Sequence, residues 1–180
     1  LHHPTAMTVP FDGNTTHAET LAAQLDMSEP LKKQLWKQTV EVKIKNQAAM
    51  LERTESGGVE ALRRHAASVK SGDTDNREGA AARIYWQNLF GEDFRRERFG
   101  GAPNHLLNYA YAILRAAVAR SLVGSGLYPA IGIHHHNKYN AFALADDVME
   151  PYRPYADEVL YGIWVAADEP IEELTKEHKQ

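Results

Sequence analysis

A chain of 180 residues, 43% of them hydrophobic, can bury one core and is expected to form one main domain. It has no cysteine, so a disulfide framework and a thiolate metal site are both excluded, and any bound metal must take nitrogen and oxygen ligands. The formal net charge of -4 argues against a polyanionic partner only until it is divided along the chain: three of the 20 basic but ten of the 24 acidic residues follow residue 140, so an acidic end hides a slightly basic body.

The amino-terminal stretch shows no basic-then-apolar leader pattern, and no apolar run approaches the roughly 18 residues of a membrane span. The expectation is a cytoplasmic chain with no membrane partner. Residues 1–27 contain Val9-Pro10-Phe11-Asp12-Gly13-Asn14 and read as loop with an Asp-Gly turn, the end of something larger. Ser28 can then cap a helix that has Pro30 in its first turn. Trp36, Val40, Ile44, Ala48 and Leu51 repeat at helical spacing, and Lys33, Lys37 and Lys45 form a neighbouring stripe expected to face solvent.

After Gly57-Gly58, residues Val59 to Val69 carry a short helical pattern. The turn Ser71-Gly72-Asp73-Thr74-Asp75 follows, and its aspartates can cap the next helix. In that helix Glu78 shares a face with Ala81, Ala82, Tyr85 and Leu89, so a carboxylate points where apolar side chains point. Such a group either pairs with an arginine or binds a cation. A polar loop with Arg95, Arg96 and Arg98 comes next.

From Pro103 to about Gly124 a helix is expected with Leu107, Ala110, Leu114, Ala117 and Val118 on one face and a Gly-Ser-Gly stop. Its other face carries Asn104, Asn108, Tyr111 and Arg115 in a column of hydrogen-bonding groups. Asparagine costs helix propensity, so the column should have a partner, either another helix or a ligand.

The segment from Gly132 to Pro154 sets His134, His135 and His136 about one short helix away from Asp146, Asp147 and Glu150. That helix should start near Asn140 and end at Glu150, because Pro151 disfavours helical geometry at the residue before it. Asp146 and Glu150 are then i, i+4 and Asp147 and Glu150 are i, i+3, where like charges repel unless a cation or a proton intervenes. Beside Leu144, Val148 and Met149 these carboxylates need pairing or a metal. With a neighbouring imidazole, the donor set suits Mg2+ or Mn2+ better than structural zinc; the plainer alternative is capping carboxylates and loop histidines. Tyr155 to Ala167 is a further helix, and residues 168–180 an acidic tail. With no repeat and little that alternates like a strand, the fold class is mainly α.

Four motifs occur here in an order and spacing that resemble a known family: Glu78-Gly-Ala-Ala-Ala-Arg-Ile-Tyr-Trp, Asn104-His-Leu-Leu-Asn-Tyr-Ala-Tyr-Ala-Ile-Leu, Gly126-Leu127 followed by Gly132-Ile-His-His, and Asp146-Asp-Val-Met-Glu-Pro-Tyr-Arg-Pro. The family is that of the Cas-one CRISPR-associated integrases, and the chain looks closest to its type II branch. The resemblance runs from about His3 to Ala166. It implies a multi-helical, metal-dependent catalytic domain over residues 28–180, with residues 1–27 as the end of an N-terminal domain or a linker. The β-sandwich domain that family members carry ahead of it is expected to be largely absent.

The same resemblance puts the family's metal ligands, which are also its catalytic residues, on Glu78, His135 and Glu150, with Mg2+ or Mn2+ as the cofactor. Two departures are the flanking of His135 by His134 and His136, and Tyr152 where phenylalanine is usual. The implied reaction joins prespacer 3′-OH ends to a CRISPR repeat by transesterification, with DNA, a second copy of the chain and the Cas-two protein as partners. On that reading Asp146 or Asp147 orients a water on the metal, and Asn108 and Arg115 position a phosphate. Asn104, Arg83, Arg95, Arg96, Arg98 and Arg120 are further candidates for DNA contact. Two rival readings stand beside it: a helical metal-dependent phosphoesterase unrelated to CRISPR systems, and a non-catalytic DNA-binding subunit whose carboxylates are salt-bridged and bind no metal.

Overall fold

The computed structural model of the chain describes residues 16–167 and residue 171. In chain order its helices are α1 (His17–Leu25), α2 (Glu29–Arg53), α3 (Val59–Ala67), α4 (Arg77–Phe90), α5 (Asn104–Gly124), α6 (Ala143–Met149) and α7 (Arg153–Ala166), with short 3-10 turns at Ser71–Asp73 and Glu150–Tyr152. The described residues contain no strand, as the mainly α expectation requires.

Part of the stretch expected to be loop is helical. Residues 17–25 lack glycine and proline and are rich in alanine, leucine and glutamine, which favour helix once a surface is available to hold them. That surface is supplied by Gln24, whose amide donates to the carbonyls of Tyr128 and Ile131 and accepts from the Tyr128 N–H. The Asp12-Gly13 turn and most of the acidic tail lie outside the described residues.

Helix α2 starts where the sequence predicts, with Ser28 extended at its cap and Pro30 in its first turn, although the Ser28 hydroxyl makes no capping bond. Its stripe of Trp36, Val40, Ile44, Ala48 and Leu51 is buried to 2% exposure or less. Burying each larger member of such a stripe is worth about 1.5–3 kcal/mol, enough to fix α2 as the axis against which α3, α4 and α7 pack. Lys33 and Lys45 are exposed as expected, and Lys37 pairs with Glu41 at 3.5 Å.

Helix α5 is turned relative to the face read from its sequence. Ala117, expected inside, is exposed, whereas Tyr111, expected on the polar column, is buried with Leu107 and Leu122. The reason is that α5 is covered on two sides, by α7 and by α6, so no single apolar stripe describes it.

Two further differences concern the segment around Glu150. Helix α6 starts at Ala143 rather than near Asn140, because the Asn140 side chain accepts the Phe142 N–H and forms a turn. The helix ends at Glu150 as expected, but Pro151 does not force that residue out of helical geometry: Glu150 (φ -53°, ψ -45°) and Arg153 (φ -53°, ψ -44°) are both helical, and α7 begins at Arg153. Pro151 and Pro154 each occupy the first turn of the element that follows, where a missing N–H leaves no bond unmade. Glu150 therefore sits at the C-terminal end of α6, as the sequence predicts, and at its junction with the turn that leads into α7.

Candidate functional site

Glu78 is positioned by the turn in front of α4. Asp73 and Asn76 both adopt left-handed backbone at φ 50°, which short polar side chains tolerate. The Asp73 carboxylate accepts the N–H groups of Arg77 and Glu78 at 2.8 and 3.0 Å, and Asn76 at the cap accepts that of Gly79 at 3.1 Å. The capping expected of this turn is thus shared between Asp73 and Asn76. A Cβ at residue 79 would lie 2.7 Å from the Asn76 side chain, so any larger residue there would push the capping amide aside.

Across from Glu78 stands Glu150, and between them is a residue the sequence reading passed over. Lys43 Nζ lies 2.5 Å from Glu78 Oε1 and 2.5 Å from Glu150 Oε2. The two carboxylate oxygens are accordingly no farther apart than twice that distance. Lys43 donates a hydrogen bond to Glu78, and its ammonium is also the charge that faces the buried Oε2 of Glu150. Arg153 Nη2 holds the other oxygen of Glu150 at 2.9 Å. Burial alone would lower the Lys43 pKa, but Glu150 and then Glu78 outweigh it and raise the value. Burial likewise pushes Glu150 up, and Lys43 and Arg153 more than offset it, so its pKa is lowered and it stays ionised.

The three histidines are separated by their partners. His134 stacks flat on Trp36, with ring centroids 4.1 Å apart. His135 Nδ1 is 2.5 Å from Asp147 Oδ1, and the ring Nε2 is left over. His136 is exposed. Asp147 is fully buried and also accepts the N–H groups of Ile133 and His134 at 2.6 and 2.9 Å, so one carboxylate shapes the whole loop. Gly132 makes this possible, since a Cβ there would meet the His135 carbonyl at 2.5 Å and Asp147 Oδ2 at 3.0 Å. The hydrogen bond to Asp147 raises the His135 pKa, and Glu150 adds to the effect through space.

Asp146, one residue earlier, points elsewhere. It takes both Nε and Nη2 of Arg115, at 2.6 and 2.7 Å, and a third bond from Asn140. The three acidic residues therefore relieve their mutual repulsion by going to three different partners: Asp146 to Arg115, Asp147 to the histidine loop, Glu150 to Lys43 and Arg153.

The asparagine column of α5 grips the arginine loop. Asn104, 6% exposed, accepts from Arg96 and the Glu97 N–H and donates to the Arg95 carbonyl, while Asn108 accepts from Arg96 and donates to the Arg98 carbonyl. Burial lowers the pKa of Arg96 from the ordinary guanidinium value. Gripped in this way, Arg95 and Arg96 join Lys43, Arg83 and Arg153 around a cavity of about 350 Å³ that also exposes Trp86 and Phe94. Arg98 stands apart over the Phe99 ring, and Arg120 is exposed. The structure thus brings together Glu78 and Glu150 on Lys43, seats His135 on Asp147 without closing it around the same point as those two carboxylates, and gathers Arg83, Arg95 and Arg96 at the cavity that Lys43 borders. It commits Arg115, Asn104 and Asn108 to partners within the chain.

Lys43 and Gln47 could have been found: both fall on the buried side of α2 between Val40 and Leu51, and a polar group on an apolar stripe is a signal. Asp157 was also missed. It is buried beneath the cavity, accepts from Tyr85 at 3.0 Å and Tyr111 at 2.5 Å, and its pKa is pushed by burial up to about 7.

A sequence model of the family described as CRISPR associated protein Cas1 matches residues 2–166. The CRISPR-associated endonuclease Cas1 of Neisseria meningitidis serogroup C (strain 8013) is 48% identical over 155 residues, covering 86% of this chain and 51% of that protein. Among solved structures, the chain is similar to one in a partial Cas6-RT-Cas1–Cas2 complex, with TM-score 0.77, 23% identity, and 94% of this chain and 56% of that one covered. It is also similar to a casposase bound to integration product, with TM-score 0.71, 18% identity, and coverage of 97% and 57%. At these identities the two structures speak for the fold. The chain spans about half the length of the curated relative it matches.

Proposed function

Because the chain belongs to the Cas1 family of CRISPR-associated proteins, we propose that it carries the catalytic half of a metal-dependent DNA integrase and endonuclease, which joins prespacer 3′-OH ends to a CRISPR repeat. The observation that supports this best is the convergence of Glu78 from α4 and Glu150 from the α6–α7 bend on one cation, beside a cavity edged by four arginines.

Glu78, Glu150 and His135 through Nε2 are the residues that would hold Mg2+ or Mn2+. Two carboxylates and one imidazole are the hard oxygen and nitrogen donors such ions take, and the buried Oε2 of Glu150 already faces a cation. Among the described residues no three acidic or histidine side chains yet stand closed around one point, and Lys43 lies between two of them. The fit is therefore one of chemistry and charge, with Lys43 in the way. When bound, the ion supplies charge neutralisation at the attacked phosphate.

The chain's own groups do the rest. Asp147 keeps the His135 proton on Nδ1 and leaves the Nε2 lone pair free to act as a ligand. Arg83, Arg95 and Arg96 attract phosphates, and Trp86 and Phe94 offer faces on which a base can stack while water is displaced. In the reaction the prespacer 3′-oxygen bonds to the phosphorus at the 5′ end of the repeat strand and the bond from that phosphorus to the 3′-oxygen of the flanking nucleotide breaks. The proton of the attacking hydroxyl ends on the leaving oxygen. Water in place of the 3′-OH gives the endonuclease reaction. A second copy of the chain and a Cas2 protein are the proposed partners.

A second reading, a DNA-binding subunit that holds no metal, draws on the ion pairs of Glu150 with Lys43 and Arg153. One experiment separates the two: calorimetric titration of Mn2+ into the protein and into His135→Ala and Glu150→Ala, followed by a strand-transfer assay. Binding that both substitutions abolish, with strand transfer lost in step, supports the integrase. Duplex binding without any uptake of Mn2+ selects the second reading.

A further inference from the structure

The position of Lys43 is unusual for a lysine in a helix interior. Its ammonium stands 2.5 Å from an oxygen of Glu78 and 2.5 Å from an oxygen of Glu150, with its side chain largely buried. Bonds from Mg2+ to oxygen are about 2.0–2.1 Å, so an ion shared by those two oxygens would fall on the lysine nitrogen. Ammonium and divalent ion exclude each other.

We propose that Lys43 is a tethered stand-in cation, which holds Glu78 and Glu150 together in the metal-free protein and is exchanged for the divalent ion when the site loads. The inference rests on the metal-dependent reading above and deepens it.

Three features fit exchange better than a permanent salt bridge. The contact to Glu150 is one of charge with charge at 2.5 Å, an attraction that a spherical ion supplies equally well. Glu150 keeps a second anchor while Lys43 leaves, because Arg153 stands 2.9 Å from its other oxygen. Lys43 also has a place to go: its side chain borders the cavity edged by Arg83, Arg95 and Arg96, and a lysine stem can swing its point charge by rotation alone. There the ammonium meets a DNA phosphate. Metal uptake thus adds a positive charge to the DNA face, so the two ligands favour each other's binding.

The test is Mn2+ alone, titrated calorimetrically into the metal-free protein and into Lys43→Met. Removal of the competing cation is expected to tighten Mn2+ binding about tenfold. Equal or weaker binding by Lys43→Met overturns the exchange while leaving the metal site standing. Absence of Mn2+ binding in both proteins overturns the metal-dependent reading and this inference together. Since the substitution could disturb folding, a second measurement uses the unaltered chain: acetylation of lysine amines, read by mass spectrometry with and without saturating Mn2+. Exchange requires labelling of Lys43 to rise several-fold with Mn2+ while the exposed Lys33 and Lys45 stay constant. Unchanged labelling of Lys43 with Mn2+ bound rejects it.

Discussion

Arg115 and Asp146 join α5 to α6 through two side-by-side hydrogen bonds, Nε to Oδ1 at 2.6 Å and Nη2 to Oδ2 at 2.7 Å. The fork geometry is specific to a guanidinium, so a lysine at 115 can make only one of the two bonds. Arg115→Lys is expected to cost about 1–3 kcal/mol of stability, read from the urea midpoint. A midpoint equal to that of the parent would remove the clamp from this account.

The pair His135 and Asp147 sets a pH window for the metal-free protein. His135 is raised above its ordinary 6.5, chiefly by the Asp147 hydrogen bond, so its contribution is complete below that pH and is lost as pH climbs through the higher folded value. Burial pushes Asp147 up, yet His135 and the loop N–H groups hold it below 3.8, so its contribution is present above 3.8 and lost as pH falls through the lower folded value. Stability from the pair is greatest between 3.8 and 6.5. In Asp147→Asn the His135 midpoint, followed by NMR, should drop toward the ordinary imidazole value. A midpoint that does not move would deny the carboxylate this role.

Asp157 has the opposite sign. Its folded pKa of about 7 lies above the ordinary 3.8, so the folded protein holds the proton more tightly than the unfolded chain does. Stability from this site is full below pH 3.8 and declines until about pH 7, then levels off. The decline is on the order of 4 kcal/mol. Asp157→Asn should abolish it, gaining on the parent between pH 5 and pH 8 in denaturation experiments.

For catalysis, Glu78→Gln and Glu150→Gln each keep shape and remove charge. Each should lower the strand-transfer rate by about 100-fold or more while circular dichroism shows the helices intact. Activity within a few-fold of the parent in either variant would take that carboxylate out of the chemistry.

The arginines are expected to act on DNA affinity. Arg83 is exposed and lines the cavity, so Arg83→Ala should weaken duplex binding and reduce the salt slope of the affinity by about one. Arg96→Ala should do the same and also lower thermal stability, since it strips Asn104 and Asn108 of a shared donor. A salt slope unchanged in both would place the DNA on another face.

What the chain discloses locally could be read in advance. The α2 stripe, the capping turn before Glu78 and the carboxylate cluster are all spelled by neighbours in sequence. The rotation of α5 could not be read, because two covering helices bury residues on more than one stripe and Tyr111 counts as polar until Asp157 is found beneath it. The partners of the three carboxylates were hidden for a similar reason: Lys43 and Arg115 come from helices far away in the chain, and spacing within one helix says nothing about what another brings. His135 was placed by motif register, whereas its link to Asp147 depends on a loop that only Gly132 allows to close.

The three hydrogen bonds of Gln24 tie the first described helix to residues 128 and 131, just ahead of the histidine loop. The backbone leading into that loop is consequently fastened twice, by α1 at residues 128 and 131 and by Asp147 at residues 133–135. The approach to His135 is in this way fixed by a side chain more than a hundred residues away in sequence, which the loop's own residues do not disclose.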